Sequence, residues 1–349
     1  MNTYLTEARG HVATHLADYL ETARTETLTF DPWGEDVATR LTEYSLRGKM
    51  IRGALVGFAY RLFRPEGDLP PACVEAGVAM ELLQSFLLIH DDIMDQDELR
   101  RGGSAIHSQY TAIAPDRDRA AQYGLSLGVC GGDISAFLAI ERLATMDADE
   151  SMRNRIVALV AREISLVGLA QMQDVHHGYV EDAPDAEILK VYTYKTGRYT
   201  FSLPLMIGAI LARAEEAAIQ GLARFGEQAG RIFQIRDDQL GLFGSGGDIG
   251  KPEGSDIRED KKTPFRNALM RLLPTDAPVR RAFGANSLTA DEIQAVRVAL
   301  EEHGIQSEVD RQVARDDQAA RQEIDALTLP PQGRRALEEL LEYNLNRTV

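Results

Sequence analysis

Residues 86–97 read Phe86-Leu87-Leu88-Ile89-His90-Asp91-Asp92-Ile93-Met94-Asp95-Gln96-Asp97, and the way acids follow an apolar run there decides the fold. Upstream, apolar residues continue back to Cys73 at three-and-four spacing, the period of a helix with a core-facing stripe. Adjacent carboxylates at the end of such a helix are unfavourable unless a cation neutralises them. Asp91 and Asp95 stand four apart, so a helix stacks them on one face, one turn apart. An all-carboxylate platform suits Mg²⁺, which usually also takes substrate phosphate oxygens. A second cluster follows another apolar helical run: Phe233-Gln234-Ile235-Arg236-Asp237-Asp238-Gln239-Leu240-Gly241. Two platforms facing each other would hold a diphosphate between them.

A lone Asp-Asp pair is usually a solvated helix face, and this chain has 54 acidic residues. It also supplies a comparison. Arg315-Asp316-Asp317-Gln318 repeats the residues at 236–239, but the stretch ahead of it, Ser307-Glu308-Val309-Asp310-Arg311-Gln312, is polar. That pair is expected on a surface helix.

Outward from the clusters, helical periodicity covers 36–62, 73–95, 119–146, 151–177, 185–213 and 215–242. Alternating strand patterns are absent. Prolines punctuate the gaps, and Pro204 alone sits inside a helical pattern, where the missing donor should kink the helix. The segment 274–288 is a possible seam, but too little follows it to be independent. The expectation is one large all-α domain over residues 1–349, a helical bundle with its site in a central cavity. Apolar residues make up 44% of the 349, enough for a sizeable core. No run reaches the ~18–20 uninterrupted apolar residues of a membrane span, so no transmembrane segment is expected. The start, Met1-Asn2-Thr3-Tyr4-Leu5, lacks a signal-peptide pattern. Two cysteines, Cys73 and Cys130, both in apolar surroundings, imply no disulfide framework and a cytoplasmic location. A net charge of −16 argues against nucleic acid as a partner.

At these residues the chain resembles the trans-isoprenyl diphosphate synthases, the polyprenyl synthetase family, most closely those making geranylgeranyl or farnesyl diphosphate. The resemblance runs from about residue 45 to about 265 and is carried by an ordered series. Its members are Gly48-Lys49-Met50-Ile51-Arg52, the first aspartate cluster with Arg100-Arg101-Gly102, Gly132-Asp133, Gln171 with Asp174 and Lys195-Thr196-Gly197. The second cluster, Gly250-Lys251-Pro252, Asp256 and Lys261 complete it. The resemblance implies the isoprenoid-synthase fold, a homodimer, and Mg²⁺-dependent head-to-tail condensation of isopentenyl diphosphate with an allylic diphosphate. Three Mg²⁺ ions per site would be held by Asp91, Asp95 and Asp237, with Asp92 and Asp238 in support. Where the family's second cluster usually ends in a third aspartate, this chain has Gly241.

The same resemblance assigns the cations. Arg100, Lys195, Lys251 and Lys261 would grip the allylic diphosphate; Lys49, Arg52 and Arg101, with Gln84, would hold isopentenyl diphosphate. Thr196 and Gln234 would sit beside the reacting carbons. His107, His176 and His177 are read as structural or surface residues, since Mg²⁺ prefers oxygen. In the family the product tail grows along the helix bearing the first cluster. Phe86, five residues before Asp91 and so about 7.5 Å down the axis, would floor that tunnel, with Leu83 a turn deeper and the non-aromatic Leu87 beside it. A product of about twenty carbons is expected, with fifteen next. The rivals are a terpene cyclase of the same fold and a non-catalytic regulatory subunit. A cyclase does not need Lys49, Arg52 and Arg101, and silent subunits typically lose an aspartate cluster.

Overall fold

The computed structural model describes residues 1–244, 253–285 and 287–347. Its helices, in chain order, are α1 (Asn2–Glu26), α2 (Trp33–Leu46), α3 (Ile51–Phe63), α4 (Pro71–Met94), α5 (Ile106–Ala112), α6 (Ala120–Thr145), α7 (Glu150–Gly178), α8 (Asp185–Val191) and α9 (Leu203–Leu211). They continue with α10 (Glu216–Phe243), α11 (Ser255–Arg258), α12 (Pro264–Leu272), α13 (Ala290–Glu302), α14 (Ile305–Ala326) and α15 (Pro331–Leu345). The fold is all-α, as expected, and contacts group it into two compact units.

The first unit comprises Met1–Val160 and Pro204–Glu215. Its centre is α4, which starts at Pro71, where a missing N–H is harmless, and buries Ala72, Ala76, Ala79, Met80 and Leu83 against α3 and α6. The periodic reading missed α1, although Val12, Leu16, Leu20 and Ala23 sit at helical spacing and are at most 5% exposed. The single run expected over 36–62 is two helices. Between them Gly48 lies in a turn and Met50 is left-handed, φ 53°; apolar residues on both sides masked the break. Among the described residues one two-stranded hairpin departs from the strand-free expectation: β1 (Leu99–Arg100) pairs antiparallel with β2 (Gly103–Ser104).

The second unit comprises Ala161–Leu203 and Glu216–Val349. Here α10 packs on α14, on α15 and on residues 192–202, which form a π-helix of eleven residues. The disturbance expected at Pro204 shows as this π segment ending just before the proline. Wider i→i+5 turns are a recognised way for a helix to absorb an irregularity, often at functional sites. A Cβ at Gly230 of α10 would lie 2.2 Å from the Gly197 Cα, so the two glycines let the backbones touch. Of helices α12–α15 only α14 was anticipated, as a surface helix; in α12 the buried run includes the polar Arg266 and Asn267, which break the apolar pattern. In α14 Ile305, Val309, Val313, Ala320 and Ile324 line the buried side, and Asp316 joins them, 3% exposed and paired with Arg231 at 2.6 Å. The comparison pair at 316–317 is therefore not wholly a surface pair. Its first acid is buried because a core-facing arginine on α10 needs a counter-ion.

Among the described residues three helical stretches are long and apolar enough to cross a membrane by length and composition: Pro71–Met94, Arg117–Thr145 and Glu150–Gly178, with windows 72%, 39% and 33% buried. The expectation of no such segment rests on uninterrupted apolar runs, and polar residues interrupt each of these three helices. Burial accounts for the apolarity of α4. On α6, by contrast, Leu125, Val129 and Phe137 are exposed, and on α7 Leu169, Met172 and Val175. Both cysteines are free; Cys73 is buried, but Cys130, on α6, is exposed and not in the apolar surroundings expected.

Candidate active site

In the first unit the acids gather at the C-terminus of α4. Asp91 lies in the last turn, 18% exposed, and Asp95 caps the helix with its N–H donating to the Asp91 carbonyl at 2.8 Å. Helix C-termini carry partial negative charge, so these carboxylates stand in an unfavourable field until a cation arrives. Asp92 points the other way. It is fully buried, accepts the Tyr44 hydroxyl at 2.7 Å and the Arg100 Nε at 2.5 Å. Burial pushes the Asp92 carboxyl up; the Arg100 charge and the Tyr44 hydroxyl offset that only in part. Burial also opposes the charge on Arg100, but Asp92 and Asp91 overcome it and hold the guanidinium protonated.

The β1–β2 hairpin delivers that arginine. Its two corner residues, Arg101 and Gly102, both have positive φ, 53° and 75°, the requirement of the tight turn that matches strand twist. A left-handed arginine is strained, and the partner it reaches explains its placement. A Cβ at Gly48 would lie 2.6 Å from Arg101 Nη1, so Gly48 makes room for the guanidinium. Arg52, at the start of α3, and Arg101 both act electrostatically on Glu81 of α4, which is 3% exposed and accepts the Gly53 N–H at 2.8 Å. Burial nevertheless raises the Glu81 carboxyl. Arg52 and Arg101 thus both act on one buried carboxylate, Glu81, which the sequence reading did not single out. Lys49 is exposed in the turn before α3, and Gln84 is buried at 7%.

Also on α4, Leu83 is buried at 2%, while Phe86 and Leu87 are half-buried. The Phe86 ring stands edge-on to His90, centroids 4.8 Å apart.

In the second unit the corresponding acids lie on α10. Asp237 is 45% exposed and Asp238 fully buried. Asp238 accepts the Tyr192 hydroxyl, Lys261 Nζ at 2.9 Å and Gln234 Nε2 at 3.2 Å. Burial pushes its carboxyl up to about 6, with Lys261 pulling down and Asp256 pushing up. Burial disfavours the charge on Lys261, yet Asp238 and Asp256 hold its ammonium protonated well above the usual lysine range. The π segment supplies the neighbours: Lys195 Nζ donates to Asp174 at 2.8 Å and the Thr196 hydroxyl to Gln234 Oε1 at 2.8 Å. Gly241 meets Asp256, whose Oδ2 would lie 2.5 Å from a Cβ there; a carboxylate from α11 fills the space a third aspartate would use. Arg347 was not foreseen. Its Nη1 lies 2.8 Å from Asp237 Oδ1, and its guanidinium stacks 3.9 Å over the Phe233 ring. Lys251 lies outside the described residues.

His177 is buried against Gln173 and Glu187, a structural role as expected. Among the described residues no three His, Cys, Asp or Glu side chains converge into a ready metal cage. Exposed oxygen donors supplied one or two at a time are what Mg²⁺ uses when phosphate and water complete its shell.

The polyprenyl synthetase family model matches residues 35–300. The chain is 32% identical over 252 residues to a geranylgeranyl diphosphate synthase of Sulfolobus acidocaldarius, covering 71% of each. It is also 32% identical over 190 residues to a geranylfarnesyl diphosphate synthase of Natronomonas pharaonis, covering 54% of this chain and 52% of that one. A solved geranylgeranyl pyrophosphate synthase of Corynebacterium glutamicum, in complex with isoprenyl diphosphate and magnesium, shares the fold with a TM-score of 0.89. That likeness covers 98% of this chain and 99% of that one at 24% identity. By the family match and these relatives, the chain belongs to the polyprenyl synthetase family.

Proposed function

We propose that this protein is a Mg²⁺-dependent prenyltransferase that condenses isopentenyl diphosphate with an allylic diphosphate, head to tail, and releases a product of about twenty carbons. The observation that carries this reading is that the cations of the first unit are directed at two different acids. Arg100 is fastened to the aspartate cluster, whereas Arg52 and Arg101 surround Glu81. Two diphosphates need two such places; a cyclase, with one, does not. The geranylgeranyl and geranylfarnesyl relatives support chain elongation and a length near twenty carbons.

Asp91, Asp95 and Asp237 are the residues to hold Mg²⁺, three ions in the full reading, and bound Mg²⁺ supplies Lewis-acid stabilisation of the leaving diphosphate. The chain's own residues do the rest. Arg100, Lys195, Lys251 and Lys261 place fixed positive charge against the allylic diphosphate as its carbon–oxygen bond breaks, the moment when preorganised cations matter most. Arg52 and Arg101 hold the second diphosphate through parallel donors, with Lys49 and Gln84 beside them. The Thr196 hydroxyl and Gln234 amide face the allylic carbons with their dipoles, and the departing diphosphate takes the proton lost after coupling. Phe86, over Leu83 and beside Leu87, limits the tail. A second copy of the chain covers the exposed apolar residues of α6 and α7, and the free cysteines fit a cytoplasmic location.

The test is to incubate the purified protein with Mg²⁺, isopentenyl diphosphate and allylic diphosphates of five, ten and fifteen carbons, then size the products. Products of about twenty carbons are expected, with none in EDTA and turnover reduced by orders of magnitude in Asp91→Ala and Asp237→Ala. Failure to incorporate isopentenyl diphosphate, or full activity in EDTA, overturns the reading.

A further inference from the structure

The two aspartate pairs are built alike by unrelated surroundings. In each, the second carboxylate is fully buried, while the first keeps contact with solvent, 18% for Asp91 and 45% for Asp237. In each, the buried acid gives Oδ2 to a tyrosine hydroxyl, Tyr44 from α2 at 2.7 Å for Asp92 and Tyr192 from the π segment for Asp238. In each, Oδ1 takes a cation, Arg100 Nε at 2.5 Å or Lys261 Nζ at 2.9 Å. Each tyrosine lies in the same unit as its acid but on a different element, and both are at most 5% exposed.

We propose that Tyr44 and Tyr192 are paired positioning residues. Each hydroxyl locks a buried second aspartate against its cation, so that the aspartate pair offers only its first carboxylate outward and the cation is held in one orientation toward the diphosphate. The physical reason is saturation. A buried carboxylate must have its lone pairs filled. With Oδ2 held by the hydroxyl, the cation is kept on Oδ1, which in Asp238 it shares with Gln234 Nε2 at 3.2 Å. Without the hydroxyl, Oδ2 is an unsatisfied buried acceptor, and the cation has to turn to cover it. Arg100 and Lys261 are two of the four cations assigned to the allylic diphosphate, so the tyrosines act on that substrate through them. Neither tyrosine touches a reacting atom. The proposal rests on the prenyltransferase reading for its substrate but not for its geometry.

Tyr44→Phe and Tyr192→Phe remove one oxygen each and keep the rings that pack the core. The probe is inorganic diphosphate with Mg²⁺, titrated by calorimetry into the intact protein. Hydrogen bonds to charged groups are strong enough that each variant should bind about tenfold more weakly. In steady state the KM for the allylic substrate should rise in step, with that for isopentenyl diphosphate within about twofold. A merely structural role predicts something else: a lower melting temperature with binding and both KM values unchanged, and that result overturns the proposal. Should either phenylalanine variant be unfolded at the assay temperature, Asp92→Asn or Asp238→Asn keeps the side-chain shape and must show the same loss of diphosphate binding. Wild-type protein that binds no diphosphate with Mg²⁺ would instead refute the prenyltransferase reading, so the two failures are told apart.

Discussion

Gly241 stands where the family's second cluster usually carries an acid, and the consequence of putting one back can be worked from the structure. A Cβ there would come 2.5 Å from Asp256 Oδ2, far inside van der Waals contact. The Asp256 side chain is 12% exposed and lies 4.0 Å from Lys261 Nζ, so it must swing away from its ammonium partner. Such overpacking costs about 1–3 kcal/mol. Replacing glycine inside a helix returns up to about 1 kcal/mol of propensity, so Gly241→Ala should come out between neutral and about 2 kcal/mol less stable. Gly241→Asp adds a charge against a half-enclosed carboxylate. Two like charges ~4 Å apart repel by up to about 4 kcal/mol at an effective dielectric near 20, which takes the net loss to ~3–5 kcal/mol in EDTA. The assay is urea unfolding of wild type and both variants, in EDTA and in saturating Mg²⁺. Mg²⁺ should restore more stability to Gly241→Asp than it adds to wild type. If Gly241→Ala is more stable than wild type by the whole helix term, Asp256 does not occupy that space and the reasoning fails.

Arg52→Lys and Arg101→Lys each lose paired donors and should raise the KM for isopentenyl diphosphate about tenfold or more while the allylic KM barely moves; equal effects in steady-state kinetics would show that the pocket is misassigned. Phe86→Ala should lengthen the product, because each added prenyl unit buries about five carbons at ~0.8 kcal/mol each, and Leu83→Ala should matter only once that ring is gone. Chromatographic sizing settles this, with an unchanged product distribution at wild-type stability counting against Phe86 as the floor. Glu81 titrates higher in the folded than in the unfolded state. Its share of stability is therefore present at low pH and lost as pH rises from the ordinary glutamate range, ~4.3, through its raised value. Urea midpoints between pH 4 and 7 should decline less steeply in Glu81→Gln than in wild type; identical slopes would remove Glu81 from this role.

The core of α4 and α10 was readable because burial there uses a wide apolar stripe that ends in acids. The break at Gly48–Met50 was not, since apolar spacing ran through it unbroken. Nor were α12, α13 and α15; in α12 the buried run includes the polar Arg266 and Asn267, which break the apolar pattern. Within the site, the acids stood out as charge at the end of apolar runs, whereas the cations were assigned by the resemblance and not by their local sequence. Tyr44, Tyr192, Glu81 and Arg347 did not, because each matters through a partner at least 28 residues away in the chain. The third Asp-Asp pair shows what a motif alone leaves out. At 91–92 and 237–238 the second acid is buried and the first faces out; at 316–317 it is the first that is buried, under Arg231. Sequence is silent on which member turns inward.

The exposed apolar residues of α6 and α7 have a consequence for handling the protein. If a second copy covers them, stability is set by mass action as well as by the fold. Dilution then separates the copies and returns Leu125, Val129, Phe137, Leu169, Met172 and Val175 to water. The melting temperature should climb with protein concentration, and specific activity should fall below the dissociation constant. Detergent micelles, which mask such surface, should lessen both dependences.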